Sequence, residues 1–160
     1  MAAAARVLVV DDDALMLAIV NQMLSGQGYE VVPASGPRQA LEIVRTTPPI
    51  QLILADVSMP EMRGTQLVSE VFRLSPQTAG LLMTGDIDSL PDVPEGVAVL
   101  RKPFSTAELI LAVQSTLTQS AQLYRRMRKL AERNERLRSE LDEIRKTIQV
   151  RRQSDESDAP

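Results

Sequence analysis

Four short apolar runs in this chain each stop at or near a residue carrying a charge or a hydroxyl, and this limits the fold more than any other feature. Arg6–Val10 runs into Asp11, Asp12 and Asp13; Leu52–Ala55 ends on Asp56; Gly80–Met83 ends on Thr84; Val97–Leu100 leads to Lys102. Such runs, rich in Val, Leu and Ile, read as strands buried on both faces. Tyr29–Pro33 adds a fifth strand. Helical spacing appears between them. Leu15, Met16, Ile19, Val20, Met23 and Leu24 precede Gly26 and Gly28, and Ser35 opens a segment carrying Ala40, Leu41 and Val44. Leu67, Val68, Val71 and Leu74 follow the loop through Met59, Pro60 and Gly64. Strands alternating with helices predict an α/β architecture, a doubly wound five-stranded parallel sheet. In such sheets a ligand sits outside the carboxyl ends of the strands, so Asp11, Asp12, Asp56, Thr84 and Lys102 are expected on one edge.

Composition narrows the chemistry. The chain has no cysteine and no histidine, which removes disulfides, thiolate metal sites, the commonest general base and the near-neutral pH switch. Carboxylates, hydroxyls and lysine must do the work. Clustered carboxylates repel unless a cation joins them, and hard oxygen donors favour Mg²⁺. One carboxylate can then attack a phosphoryl group, giving an acyl phosphate, while a lysine and a hydroxyl complement the transferred oxygens. Asp56, on the middle strand end, is the expected nucleophile. Asp13 is expected to cap the first helix, and Met16, Met23 and Met83 to fill the core.

Val9-Val10-Asp11-Asp12, Leu54-Ala55-Asp56-Val57-Ser58-Met59-Pro60 with Gly64, Met83-Thr84-Gly85 and Lys102-Pro103-Phe104 resemble the successive signatures of response-regulator receiver domains. These belong to two-component signalling and are chemotaxis-regulator-like. The resemblance covers about residues 6–120 and implies a flavodoxin-like sheet of order 2-1-3-4-5. It implies Mg²⁺ held by Asp12, Asp56 and the backbone carbonyl of Ser58, with Asp11 acting largely through water. Thr84 and Lys102 would contact the phosphoryl oxygens, and Lys102-Pro103 resembles a bond that is cis in the family. It also implies phosphoryl transfer from a histidine kinase or phosphotransfer protein, catalysed largely by the receiver itself, so no metabolic enzyme is expected.

Two features depart from the family pattern. Val99 stands where an aromatic often lies, so aromatic gating is not expected. The stretch between Thr84 and Lys102 holds Pro91, Pro94 and Gly96, poor helix material, so the fourth helix is expected to be short or missing. Two other readings stand beside this one. Val10-Asp11-Asp12-Asp13-Ala14-Leu15 resembles the first motif of haloacid-dehalogenase-type phosphatases, with Asp11 as nucleophile and Asp13 as acid. A receiver-like scaffold that is never phosphorylated is the other.

Charge divides the chain. Residues 1–120 carry 7 basic and 13 acidic residues, and residues 121–152 carry 11 basic and 5 acidic, which points to parts with different jobs. Residues 1–120 read as the receiver, 121–152 as a helical extension and 153–160 as a disordered acidic tail. Ser105 and Glu108 form a capping box opening the last helix, and no Gly or Pro follows until Pro160. Over Ser105–Arg152 such a helix would be roughly 70 Å long. Met127, Asn134, Leu141 and Ile148 fall at heptad position a, and Leu130, Leu137 and Ile144 at d. Asn at a fixes register in parallel dimers, so a parallel coiled-coil homodimer is expected. Glu140 would then attract Arg145 of the second copy, whereas Arg133 would repel Arg138. The Arg125, Arg126, Arg128 and Lys129 cluster precedes the leucines as a basic region precedes a zipper. It is short and interrupted, so a solvated face is expected rather than DNA binding. No motif names a downstream target. Neither a signal peptide nor an apolar run long enough to span a bilayer is evident, so a cytoplasmic location is expected.

Overall fold

The computed structural model of the chain describes residues 4–47, 49–90 and 92–157, with the side chains of all but the last three. The elements are β1 Arg6–Val10, α1 Ala14–Ser25, β2 Glu30–Ala34, α2 Pro37–Thr46, β3 Leu52–Asp56, α3 Gly64–Leu74, β4 Ala79–Thr84, β5 Ala98–Arg101 and α4 Thr106–Ser157. They fall into two compact units, Met1–Ala121 and Gln122–Pro160.

All five strands of the first unit pair in parallel, in the order β2-β1-β3-β4-β5. The central strands are β1, β3 and β4, whose apolar residues are buried on both faces, while β2 and β5 are partly exposed edges. Pro33 fits on β2 because an edge strand tolerates a missing donor. Side chains alternate across the sheet with the strand period of two. Leu8, Val10, Ile53, Ala55 and Leu82 pack under Ala40 of α2 and Leu67, Val68 and Val71 of α3. Val7, Val9, Leu52, Leu54, Leu81 and Met83 pack under Val20 and Leu24 of α1 and Leu109 and Val113 of α4. The flavodoxin-like topology is thus present.

No helix occurs between β4 and β5 among the described residues. Leu90, Val93 and Val97 of that stretch pack as irregular chain on the α2–α3 side of the core, joined by Val99 of β5. Gly96 takes a positive φ of 79°, a turn conformation at odds with a helix. Pro91 lies outside the described residues.

Two local expectations changed. Leu15 and Ile19 of α1 are exposed, at 69% and 39%, and Leu17 packs on the core instead. Leu15, Met16 and Leu17 are consecutive apolar residues, so spacing alone left the phase of this helix open by one position. Helix α2 starts at Pro37 rather than Ser35, whose N–H and hydroxyl both donate to Gln39 Oε1 (2.8 and 3.0 Å).

Helix α4 opens on the expected capping box. Glu108 Oε2 accepts from Ser105 N (2.7 Å) and Oγ (2.9 Å), and Ser105 Oγ accepts from Glu108 N at 3.2 Å. The helix runs to Ser157, past the Arg152 boundary and into the segment expected to be a disordered tail. Nothing in Gln153–Ser157 breaks a helix; residues 158–160 lie outside the described residues. Among the described residues no helix is long and apolar enough to cross a membrane.

Candidate functional site

The parallel sheet brings the strand ends together, and backbone hydrogen bonds extend its ladder into the loops. Asp11 N donates to Ala34 O (3.2 Å), Val57 N to Met83 O (2.9 Å) and Lys102 N to Thr84 O (2.7 Å). Asp56, the last residue of β3, lies opposite Met83. Three separate strand ends thereby deliver side chains to one edge.

Carboxylate oxygens of Asp11, Asp12 and Asp56 lie within 4.8 Å of one another. Asp11 and Asp56 are buried and Asp12 is exposed. Lys102 Nζ reaches into the cluster, 2.8 Å from Asp56 Oδ1 and 3.3 Å from Asp11 Oδ2. The Lys102-Pro103 peptide bond is cis. Asp11 Oδ1 accepts from Asp13 N at 2.9 Å. Asp13 itself caps α1, its Oδ1 accepting from Leu15 N (2.9 Å) and Met16 N (3.4 Å). The three consecutive aspartates therefore divide as expected, two to the cluster and one to the helix.

Burial is the largest influence on Asp56 and raises its pKa above the ordinary carboxylate value. The hydrogen bond and charge of Lys102 oppose this, and the like charges of Asp11 and Asp12 reinforce it. For Lys102, burial disfavours the ammonium most strongly of the single influences. The hydrogen bonds and charges of Asp56 and Asp11 together outweigh it, and its pKa is raised. That Asp56 is raised despite an ion pair reflects its burial first and the company of two more carboxylates second.

Thr84 is buried, and its hydroxyl is engaged with the turn that follows. Oγ1 donates to Asp86 O and accepts from Asp86 N, both at 3.1 Å. Thr84 lines a cleft of about 450 Å³ with Val57, Ser58, Met59, Arg63, Asp86 and Ser89. The fold thus gathers Asp11, Asp12, Asp56 and Lys102 closely, and places Thr84 and Ser58 along the adjoining cleft. Sequence reasoning missed Asp86 and Arg63. Asp86 follows a motif residue by two positions, a common spacing for a hydroxyl–backbone turn, and that was the available signal.

Gly64 holds the β3–α3 loop closed over Asp56. Its N–H donates to Val57 O at 3.0 Å, and a Cβ there would collide with the carbonyl of Asp56. Glycine is the residue that permits this approach.

Residues 7–114 match the model of the response regulator receiver domain. The chain belongs to that family. GlrR of Escherichia coli K12, a transcriptional regulatory protein, is 32% identical over 122 residues, 73% of this chain and 27% of that protein. The chain therefore matches about a quarter of that relative's length. A chemotaxis protein of Vibrio cholerae, CheY4, is 30% identical with a TM-score of 0.62, over 71% of this chain and 99% of that structure. A CheY-like receiver from Methanospirillum hungatei JF-1 is 27% identical with a TM-score of 0.66, over 74% and 98%. This receiver is thus a two-component signalling module. Relatives named as transcriptional regulators give no support to the expectation that it has no DNA-binding role.

Proposed function

We propose that Asp56 accepts a phosphoryl group from a histidine kinase or phosphotransfer protein, with Lys102 and Thr84 contacting the transferred oxygens. The observation that carries this is the placement of Lys102 Nζ, 2.8 Å from Asp56 Oδ1 inside a cluster of three carboxylates. Three carboxylates against one ammonium leave a strong negative excess, partly buried, which favours a divalent cation. The donor set is all oxygen, so it fits Mg²⁺, held by Asp11, Asp12, Asp56 and the Ser58 carbonyl. When bound, the cation offsets charge on the carboxylates and on the incoming phosphoryl oxygens.

The chain's own residues do the rest. Asp56 supplies a carboxylate oxygen that bonds to phosphorus as the phosphorus–nitrogen bond of a phosphohistidine breaks, and the imidazole leaves with a proton. Lys102 shifts its hydrogen bond from Asp56 to the new oxygens. Thr84 reaches them by releasing Asp86, and the loop around Asp86 moves with it. Val99 packs on the core where an aromatic would stand, so this loop is the relay in place of a rotating ring. Residues 1–120 act as the receiver and residues 121–152 as its output segment.

The phosphatase alternative needs Asp13 as an acid, yet its carboxylate is engaged with the α1 amides. Incubation with acetyl phosphate and Mg²⁺, followed by peptide mapping, is expected to place an acyl phosphate on Asp56. Asp56→Asn is expected to abolish uptake, and chelation of Mg²⁺ to suppress it in the native chain. Label on Asp11 would favour the phosphatase, and no label on a folded protein the unphosphorylated scaffold.

A further inference from the structure

The first unit buries most of its large apolar residues; the second does not. Leu123, Met127, Leu130, Leu137, Leu141, Ile144 and Ile148 of α4 are all between 46% and 60% exposed. A solvated helix does not need seven large apolar residues along one stripe. Helix α4 is unbroken from Thr106 to Ser157, so it has no turn with which to cover that stripe itself. Among the described residues nothing covers it, and a second copy of the chain offers a matching stripe.

We infer that Leu123–Ile148 pairs with the same segment of a second copy, as a parallel and in-register two-stranded coiled coil. This stands independently of phosphoryl transfer at Asp56. Two arguments fix the orientation. In a parallel pair Asn134 meets Asn134 of the second copy, and the two amides satisfy each other. In an antiparallel pair a positions face d positions, so each Asn134 amide would lie against an apolar side chain without a partner.

Charge gives the second argument. The e positions are Ala131, Arg138, Arg145 and Arg152. Antiparallel helices set e against e, which brings three arginines against three arginines. Parallel helices set g against e instead. Glu140 then meets Arg145, leaving Arg133 against Arg138 as the repulsive contact. The intrahelical Arg128–Glu132 ion pair (3.0 Å) lies at b and f, off the seam. Asn at an a position also favours two strands over three or four.

The absence of cysteine makes the test clean. Ile144→Cys and Met127→Cys are prepared separately in the full chain, checked for folding by circular dichroism, and oxidised at micromolar concentration. Each is expected to cross-link to itself, since equal positions face each other only in a parallel, in-register pair. An equimolar mixture giving the mixed Met127–Ile144 cross-link, an a position on a d position, in place of the two self-linked products would overturn the inference in favour of an antiparallel pair. Sedimentation of the native chain is expected to show a dimer, and a monomer or trimer would equally overturn it. Leu137→Glu is expected to raise the dimer Kd about a hundredfold or more, since two apolar contacts are lost per dimer. Lys146→Glu, at the outer f position, is expected to leave pairing unchanged.

Discussion

The same residue types meet opposite fates in the two units. Leu54, Leu81 and Met83 are fully buried in the sheet, whereas Leu130, Leu141 and Met127 are more than half exposed on α4. In the first unit, helices from distant parts of the chain bring their apolar stripes onto the two faces of one sheet and cover them. In residues 122–154 every residue is exposed, because one unbroken helix has nothing of its own to pack against. Burial in this protein follows from the availability of a partner surface, not from the residue type.

The sharpest test of that contrast compares two leucines. Leu54→Ala removes a fully buried side chain and is expected to lower the unfolding free energy by about 2–5 kcal/mol, at every protein concentration. Leu141→Ala is expected to matter only where the chain pairs, so its effect in urea denaturation should vanish on dilution. A concentration-independent loss of similar size at Leu141 would break the comparison.

A smaller effect is expected from Gly64→Ala. The added Cβ forces the β3–α3 loop off the Asp56 carbonyl, at a cost of about 1–3 kcal/mol. Phosphoryl uptake from acetyl phosphate should fall with it, while sedimentation should be unaltered. That outcome would separate the site from the seam.

The smallest concerns the join between core and stripe. Ser105→Ala removes half of the capping box of α4, and a loss of about 1 kcal/mol is expected at neutral pH. The Ser105 backbone N–H and then its hydroxyl hold the Glu108 carboxyl below its ordinary value of 4.5. A folded pKa lower than the unfolded one gives stability that is present above 4.5 and is lost as the pH falls through the folded value. The difference between the native chain and Ser105→Ala should therefore narrow in acid, as denaturation at pH 7 and pH 3 would show.

Much of the site was legible because strand ends are written locally. An apolar run followed by Asp11, Asp56 or Thr84 places those residues at the carboxyl edge of any parallel sheet. The Asp13 cap and the Ser105–Glu108 box were legible for the same reason, since each closes within three residues. Other features depend on contacts distant in sequence. The exposure of Leu15 and Ile19 was not legible, because the face α1 turns to the sheet is chosen by packing on Val7 and Leu52.

The sequence by itself determined the alternating elements, the chemistry available to them and the heptad stripe, since periodicity and residue type are properties of neighbours along the chain. Strand order came from resemblance rather than from pattern, because a parallel ladder of apolar runs has no intrinsic order. Only the tertiary structure decided that Lys102 bridges Asp56 and Asp11 and that the Thr84 hydroxyl is engaged with Asp86. Tertiary structure also decided that Leu90, Val93 and Val97 cover the core with no helix among the described residues between β4 and β5. These depend on which surfaces meet when the sheet is assembled, and that balance of burial against hydrogen bonding is struck across the whole fold.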